Sequence, residues 1–198
     1  MKLQVALDIP YEKKALEIAE AVYEYAHILE AGTPLLKSCG ARIIRELKQF
    51  GTEVLADTKT VDAVELEAEI VKSQGADYFT VLAVSPKETR EKASKIEGIK
   101  KVIDLIGVEN KVEVAKELQN TFDVVLIHTG IDEGVLVPEE YKELKGIKGL
   151  AVAGGITEKN LKEVLQLEPE IIVIGRYITM SEDPKATVKK IVEEMECI

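Results

Sequence analysis

The sequence predicts an α/β protein, a single (β/α)8 barrel that forms one catalytic domain over residues 1–198. Three observations predict this architecture. Short apolar runs alternate with longer amphipathic stretches, as expected for parallel strands joined by helices. About eight runs follow one another at a spacing of roughly 25 residues, which suits a closed barrel. Polar residues follow the runs at their carboxyl ends, the face on which such barrels carry their chemistry.

The apolar runs and the segments between them predict the individual elements. The runs are, in order, LQVALD (3–8), AHILEAG (26–32), TEVLADTK (52–59), ADYFTVLA (76–83), KKVIDLIG (100–107), FDVVLIHTG (122–130), KGLAVAGG (148–155) and EIIVIGR (170–176). Helix-like segments lie between them, for example at 11–26 and 61–75. In the second segment Val64, Ala68 and Val71 recur at helical spacing. An open, doubly wound sheet is the alternative architecture, because it also alternates strands with helices.

Composition limits the classes of function. The net charge of −10 argues against non-specific nucleic-acid binding, which needs a basic face. A phosphate ligand remains compatible with this charge, because backbone amides at helix starts bind anions. No apolar run approaches the roughly 20 residues of a membrane span, and no signal-peptide pattern is recognised, so we expect a cytoplasmic protein. Cys39 and Cys197 lack metal-ligand spacing and are expected to be reduced thiols.

Charged residues stand where buried strands normally avoid them. The polar residues at or just beyond the run ends are Asp8, Glu30, Asp57, Lys59, Asp62, Asp104 and His128. In a barrel all these ends open on one face. Residues two apart in a strand point the same way, so Asp57 and Lys59 are expected to face the barrel axis together. A buried charge is costly unless it is paired, so we expect Lys59 to be protonated among Asp8, Asp57 and Asp62.

Each of these residues also has a structural interpretation. A single carboxylate at a strand end is equally typical of an N-cap for the next helix, Asp62 especially. Four carboxylates and a lysine at three strand ends are difficult to explain as caps, and they predict a functional cluster. His128 lies on the predicted catalytic rim, whereas His27 lies at a strand start on the opposite face and is assigned no role.

Two glycine-containing segments predict a phosphate site. AGGIT (153–157) ends the seventh run with Gly154 and Gly155, just before a helix that starts near Thr157. IGRYIT (174–179) ends the eighth run, and its residues Gly175 and Arg176 are expected to complete the site. Glycine allows close approach of the backbone, and barrels often bind phosphate with the loops after strands seven and eight.

The chain resembles the orotidine 5′-monophosphate decarboxylase superfamily. The segment ADTKTVDA (56–63) matches the D-x-K-x-x-D signature of that superfamily. The other segments that carry the resemblance are LQVALD (3–8), EAGTPLLK (30–37), HTGID (128–132), AGGIT (153–157) and IGRYIT (174–179). Within the superfamily, the combination is most similar to the branch that joins formaldehyde to a pentulose phosphate.

The resemblance implies a Mg²⁺-dependent aldol reaction of formaldehyde with D-ribulose 5-phosphate, and its reverse, through an enediolate. Glu30 and Asp57 would hold the metal, since carboxylate oxygens suit Mg²⁺. Asp8 and Lys59 would orient the sugar hydroxyls. His128 would transfer protons, because imidazole titrates near neutral pH.

The resemblance also implies contacts beyond this cluster. Thr33 and Lys37, within EAGTPLLK, would contact the substrate. The phosphate would be held by Gly154, Gly155, Gly175 and Arg176. The resemblance further implies a homodimer in which Asp62 reaches into the site of the partner.

Three alternative functions remain. Decarboxylation of 3-keto-L-gulonate 6-phosphate would use the same metal, but no basic residue occurs between His128 and Glu140 to guide that reaction. Orotidine 5′-monophosphate decarboxylases usually carry isoleucine and proline where Ala63 and Val64 stand. A non-catalytic sugar-phosphate binder would not need the intact cluster.

Overall fold

The computed structural model describes residues 1–196, and Cys197 lies outside the described residues. The chain forms parallel strands that close into a barrel, each strand paired with the next and the first with the last. The strands are β1 (Lys2–Leu7), β2 (Ile28–Ala31), β3 (Glu53–Thr60), β4 (Tyr78–Leu82), β5 (Lys100–Asp104), β6 (Val124–His128), β7 (Leu150–Ala153) and β8 (Ile171–Ile174). The predicted barrel is confirmed, and the open sheet is excluded by the pairing of β1 with β8.

Helices follow the strands and cover the outside of the barrel. They are α1 (Glu12–Val22), α2 (Thr33–Cys39), α3 (Ile43–Lys48), α4 (Val64–Ser73), α5 (Lys87–Ser94), α6 (Lys111–Leu118), α7 (Glu158–Leu165), α8 (Arg176–Thr179) and α9 (Pro184–Glu196), with a 3₁₀ helix at Pro138–Leu144. The segments predicted as helices at 11–26 and 61–75 contain α1 and α4. Among residues 1–196, none of the helices has the length and apolar character to cross a membrane.

Two hydrophobic clusters lie on the two faces of the strands. One packs between strands and helices and contains, for example, Val5, Leu29 and Val54. The other fills the barrel interior, with Ala6 and Ile28 among its members. Both faces of each strand are therefore buried, which explains why the strands read as continuous apolar runs instead of alternating patterns.

Ion pairs close the amino-terminal end of the interior. Glu53 pairs with Lys2 and, at 3.0 Å, with Lys100, and the Tyr78 hydroxyl donates to Glu53 at 3.1 Å. Burial opposes ionisation of Glu53, but hydrogen bonds from the two lysines outweigh it and lower the pKa of Glu53 to about 2. His27 lies at this end as well, where its Nδ1 accepts the Leu3 N–H at 3.2 Å, so it has a structural contact.

Strand β3 is irregular where its charged residues lie. Its pairing with β4 shifts register between Ala56 and Thr60, and Lys59 has a φ of 48°. A left-handed backbone at a non-glycine residue costs about 1–2 kcal/mol. The backbone N–H of Lys59 donates to Thr80 Oγ1 at 2.8 Å, and this hydrogen bond helps to stabilise the left-handed conformation. The expected regular alternation through Lys59 is therefore wrong, although its side chain still meets Asp57, as described below.

Candidate active site

Five polar residues at the mouth of the barrel face its interior. Each of the five stands two positions after an apolar residue of the barrel interior, so strand alternation gives both residues the same direction. The pairs are Ala6 and Asp8, Ile28 and Glu30, Leu55 and Asp57, Val102 and Asp104, and Leu126 and His128. The interior is thus mostly apolar in its middle, where Gln4 is a buried polar exception, and polar at its carboxyl end.

Three carboxylates converge at this end. Oxygens of Asp8, Glu30 and Asp57 all lie within 4.8 Å of one another. Burial and the charges of Asp57 and Asp8 raise the pKa of Glu30 well above its usual range, although Gln4 Nε2 donates to Glu30 at 2.6 Å. Burial and Asp57 also raise the pKa of Asp8. The cluster carries more negative charge than its protein surroundings neutralise, and these oxygens are donors that could hold a hard divalent cation.

Lys59 supplies positive charge beside this cluster. Its Nζ lies 2.9 Å and 3.0 Å from the two carboxylate oxygens of Asp57 and 3.3 Å from Asp104 Oδ2. Burial lowers the pKa of Lys59, but the charges of Asp57 and Asp104 raise it above its usual value, so the amine is protonated. The predicted pairing with Asp57 is confirmed.

Asp62 does not take part in the ion pairs of Lys59 within the described chain, contrary to expectation. Asp62 is exposed just beyond β3. It is not the N-cap of α4 either: Ala63 holds that position, with a φ of 50° and no side-chain capping bond. Neither interpretation from the sequence is therefore realised inside this chain, and Asp62 faces outward.

Asp104 connects Lys59 to His128. The carboxylate is 0% exposed, its Oδ2 lies 3.0 Å from His128 Nδ1, and its Oδ1 accepts the Ile106 N–H at 2.9 Å. Burial disfavours the charged form, but the hydrogen bond to His128 and the charge of Lys59 hold the pKa of Asp104 below its usual range. Asp104 belongs to the polar residues at the run ends, but no role follows for it from the sequence; its place two residues after the interior residue Val102 is the signal that could have indicated one.

The segment after β2 packs onto the carboxylates. Thr33 Oγ1 donates to the Asp57 carboxylate at 2.6 Å and lies 2.8 Å from the Asp57 carbonyl oxygen. A Cβ at Gly32 would lie 2.2 Å from Asp8 Oδ1 and 2.9 Å from the Leu7 carbonyl oxygen, so a larger residue would force the backbone or Asp8 to shift. Lys37 is exposed on α2, and no hydrogen bond among residues 1–196 joins it to the cluster. Thr33 is thus at the site, whereas Lys37 is not brought into it.

The glycine segments lie side by side, because β7 and β8 are paired. Gly154 and Gly155 have φ angles of 129° and 61° and precede α7, whose N-cap Thr157 forms a reciprocal capping pair with Asn160. At the end of β8, a Cβ at Gly175 would lie 3.7 Å from Asp8 Oδ2. The β8 segment therefore adjoins Asp8 of the carboxylate cluster, and the β7 segment lies next to it. Arg176, exposed at the start of α8, lowers the pKa of Asp8 by its charge.

Comparisons with known proteins agree over nearly the whole chain. A family model described as orotidine 5′-phosphate decarboxylase / HUMPS family matches residues 1–191. The 3-hexulose-6-phosphate synthase of Mycobacterium gastri is 36% identical over 206 residues, covering 96% of this chain and 98% of the relative. The structure of 3-hexulose-6-phosphate synthase from Salmonella typhimurium is 32% identical, with a TM-score of 0.91, and covers 100% of this chain and 99% of its own. The structure of KGPDC from Streptococcus mutans is 24% identical, with a TM-score of 0.90, and covers 100% of this chain and 98% of its own, a likeness of fold alone.

Proposed function

Because the chain belongs to the orotidine 5′-phosphate decarboxylase / HUMPS family, we propose that it catalyses the reaction of 3-hexulose-6-phosphate synthases. In that reaction formaldehyde and D-ribulose 5-phosphate combine to a hexulose 6-phosphate, and the reverse reaction releases formaldehyde. The observation that carries the proposal is the convergence of Asp8, Glu30 and Asp57 beside Lys59, opposite the Asp104–His128 pair. The family resemblance found in the sequence is confirmed by the family match. The proposed activity is compatible with the cytoplasmic location expected from the sequence.

We propose Mg²⁺ as the cofactor, held by Glu30 and Asp57. Asp8 also lies within reach, so the donor set can be three carboxylates where the sequence suggested two. The convergence of the three carboxylates supports a cation here, because burial and the charges of Asp57 and Asp8 disfavour an ionised Glu30 unless positive charge is bound beside it. When bound, Mg²⁺ would polarise the sugar ketone and stabilise negative charge on its oxygen.

The protein side chains would bind the sugar and move its protons. The Lys59 ammonium would donate to sugar oxygens and stabilise negative charge on them. Asp8, at the solvent side of the cluster, would accept from a hydroxyl. His128 would remove the proton whose loss gives the enediolate: its Nδ1 faces Asp104, which leaves Nε2 for the substrate.

The phosphate would lie on the segments after β7 and β8. Gly154 and Gly155 would offer backbone amides, and α7 begins directly behind them. Gly175 and Arg176 would complete this site. Thr33 would contribute by holding Asp57, and Lys37 on α2 would contact substrate only if it moves towards the mouth.

We further propose a homodimer in which Asp62 enters the site of the second copy. Asp62 is exposed, and the exposed apolar side chains of Val61, Leu66 and Ile70 lie close to it in the sequence. Burial of these side chains against a second copy would stabilise the dimer. The same contact would give Asp62 an ionic partner, which none of the salt bridges among residues 1–196 supplies.

The experiment is a formaldehyde-consumption assay with purified protein, MgCl₂ and D-ribulose 5-phosphate. Consumption that is lost with EDTA and in Lys59→Ala supports the proposal. Lys116→Ala serves as the matched control, because Lys116 forms an exposed ion pair with Glu143 away from the site. Absence of consumption, with CO₂ release from 3-keto-L-gulonate 6-phosphate, would replace the proposed function with the decarboxylase activity.

A further inference from the structure

Lys111 is a nearly buried lysine that the proposed reaction does not use. Its side chain is 11% exposed, and it begins α6 on the carboxyl side of the barrel. Its Nζ donates to the carbonyl oxygen of His128 at 2.6 Å and lies 3.5 Å from Glu133 Oε2. Burying a lysine costs free energy unless its ammonium is hydrogen-bonded or paired, and these two contacts supply that compensation.

The contact with His128 takes the place of a missing strand bond. Leu105 N–H donates to the Leu126 carbonyl at 3.0 Å, and alternation directs the His128 carbonyl to the same side of β6. Strand β5 has already ended there, at Asp104. The Lys111 ammonium fills the position with a charged donor, and thereby satisfies a carbonyl that would otherwise lack its strand partner.

Glu133 ties this lysine to the loop that follows His128. Its Oε2 accepts the Gly130 N–H at 2.9 Å. The Gly130 bond, the charge of Lys111 and a backbone bond from Gly107 hold the pKa of Glu133 below its usual range, so the carboxylate is ionised. The carboxylate thus joins the β5–α6 loop, α6 and the β6 loop at one point.

We propose that Lys111 and Glu133 are positioning residues, which fix the backbone of His128 so that its imidazole stays against Asp104 and faces the substrate. The proposal rests on the proposed function, in which His128 transfers the proton. Proton transfer is sensitive to small displacements, so loosening this backbone should slow the chemical step more than it weakens substrate binding.

The kinetic test compares Lys111→Met and Glu133→Gln with Lys116→Met, which removes an exposed lysine from the same helix. We expect kcat to fall by about tenfold or more in the first two variants, with KM changing much less. Lys111→Arg should restore most of kcat, because a guanidinium can still donate to the His128 carbonyl. Unchanged kcat in both Lys111→Met and Glu133→Gln would overturn the proposal.

Imidazole NMR provides a second readout that is independent of turnover. The chain has two histidines, and His27→Gln assigns their ring signals. The ring signals of His128 should shift or broaden in Lys111→Met and Glu133→Gln and stay in place in Lys116→Met. His128 signals identical to wild type in both Lys111→Met and Glu133→Gln would overturn the proposal. If Lys111→Met fails to fold, Glu133→Gln decides, because the Glu133 side chain is 40% exposed in the native chain.

Wild-type protein without formaldehyde consumption would contradict the proposed function. The NMR comparison would still decide whether Lys111 and Glu133 position His128.

Discussion

Asp104 is a fully buried carboxylate that contacts two residues of the proposed reaction. It pairs with Lys59 and accepts from, or shares a proton with, His128 Nδ1. If the charge of Asp104 is removed, Lys59 keeps only Asp57 as an ion-pair partner among residues 1–196. The orientation of His128 is then no longer fixed by a carboxylate. In the proposed reaction, Asp104 would therefore influence both Lys59 and His128 without touching the sugar.

Asp104→Asn should therefore lower kcat by about 100-fold, the scale of one misplaced proton-transfer group. The amide keeps the size of the side chain but removes its charge and the preference for one histidine tautomer. Asp123→Asn is the matched control, because Asp123 binds Lys101 at 2.9 Å at the amino-terminal end, just ahead of β6. Activity of Asp104→Asn equal to that of the control, in steady-state assays, would contradict this role.

Site residues were predictable where the signal was local. Asp8, Glu30, Asp57 and His128 interrupt apolar runs, and a charge inside a buried strand is visible in one sequence. Gly32 was not predictable, because its need for a missing Cβ arises from Asp8 on another strand. The ion-pair partner of Lys59 was not predictable for the same reason, since the pairing of Lys59 with Asp104 depends on how three strands align.

At the scale of one element, α7 shows how a helix start supports the segment before it. Thr157 Oγ1 accepts the Lys159 N–H at 3.3 Å, and Asn160 Oδ1 accepts the Thr157 N–H at 2.8 Å. These bonds satisfy amides at the helix start and fix the exit of the chain from Gly155. The predicted helix start near Thr157 is confirmed, since α7 begins at Glu158. This start was predictable because capping residues give a local signal in the sequence.

Thr157→Ala should lower the free energy of unfolding by about 1 kcal/mol through loss of the cap. Thr187→Ala, within α9, should be neutral or slightly stabilising, since alanine has the higher helix propensity. Urea unfolding of both variants measures the difference. Equal effects of the two substitutions would show that the cap contributes nothing beyond propensity.

Strand β3 shows where element prediction stops. The run TEVLADTK (52–59) indicated a strand, and the strand exists, but the register shift after Ala56 leaves no trace in the local pattern. The irregular backbone is held by Thr80 of the neighbouring strand, through Lys59 N–H and through its carbonyl, which accepts from Thr58 Oγ1 at 2.8 Å. A contact between strands decides this geometry, so periodicity along one strand cannot reveal it.

At the scale of the whole molecule, the Glu53 network links four strands at the closed end of the barrel. The pKa of Glu53 is lowered from 4.5 to about 2, so the folded state favours its ionised form. Its stabilisation is complete above pH 4.5 and is lost as pH falls towards 2. Because the side chain is 31% exposed, solvent screening limits the contribution to about 1 kcal/mol.

Glu53→Gln should accordingly be less stable than wild type at pH 7 by about 1 kcal/mol, with the difference shrinking as the pH falls below 4. Urea unfolding at a series of pH values measures this. The exposed Glu143, which pairs with Lys116, supplies the control variant Glu143→Gln. A constant difference between Glu53→Gln and wild type across the pH series would show that its charge is not responsible.

The proposed dimer makes a prediction of its own. Lys59→Ala and Asp62→Ala should each be inactive, but mixed dimers of the two contain one site with both residues intact. Co-expressed chains should recover about a quarter of wild-type activity, the statistical share of intact sites. Sedimentation checks that dimers are present. Failure of a verified mixed dimer to regain activity would contradict the shared site.

The whole architecture was more predictable than any of its contacts. Eight apolar runs determine the strands, but the same alternation fits an open sheet, and closure depends on the pairing of Lys2–Val5 with Ile171–Ile174 at opposite ends of the chain. That pairing depends on strand tilt and interior packing, to which small residues such as Ala6, Ala151 and Ala153 contribute. The length of the chain and the spacing of the runs thus favoured the barrel, but the pairing of β1 with β8 was visible only in the structure.

The pairing of β1 with β8 also bears on aggregation. An edge strand offers unpaired N–H and C=O groups to which another chain can add, and this is a common first step towards β-aggregates. Across residues 1–196, each strand of the barrel has a neighbour on both sides. The native barrel therefore offers no template for such growth. Aggregation by strand addition has to start from molecules in which the ring has opened, and the population of those molecules, not the concentration of native protein, should set its rate.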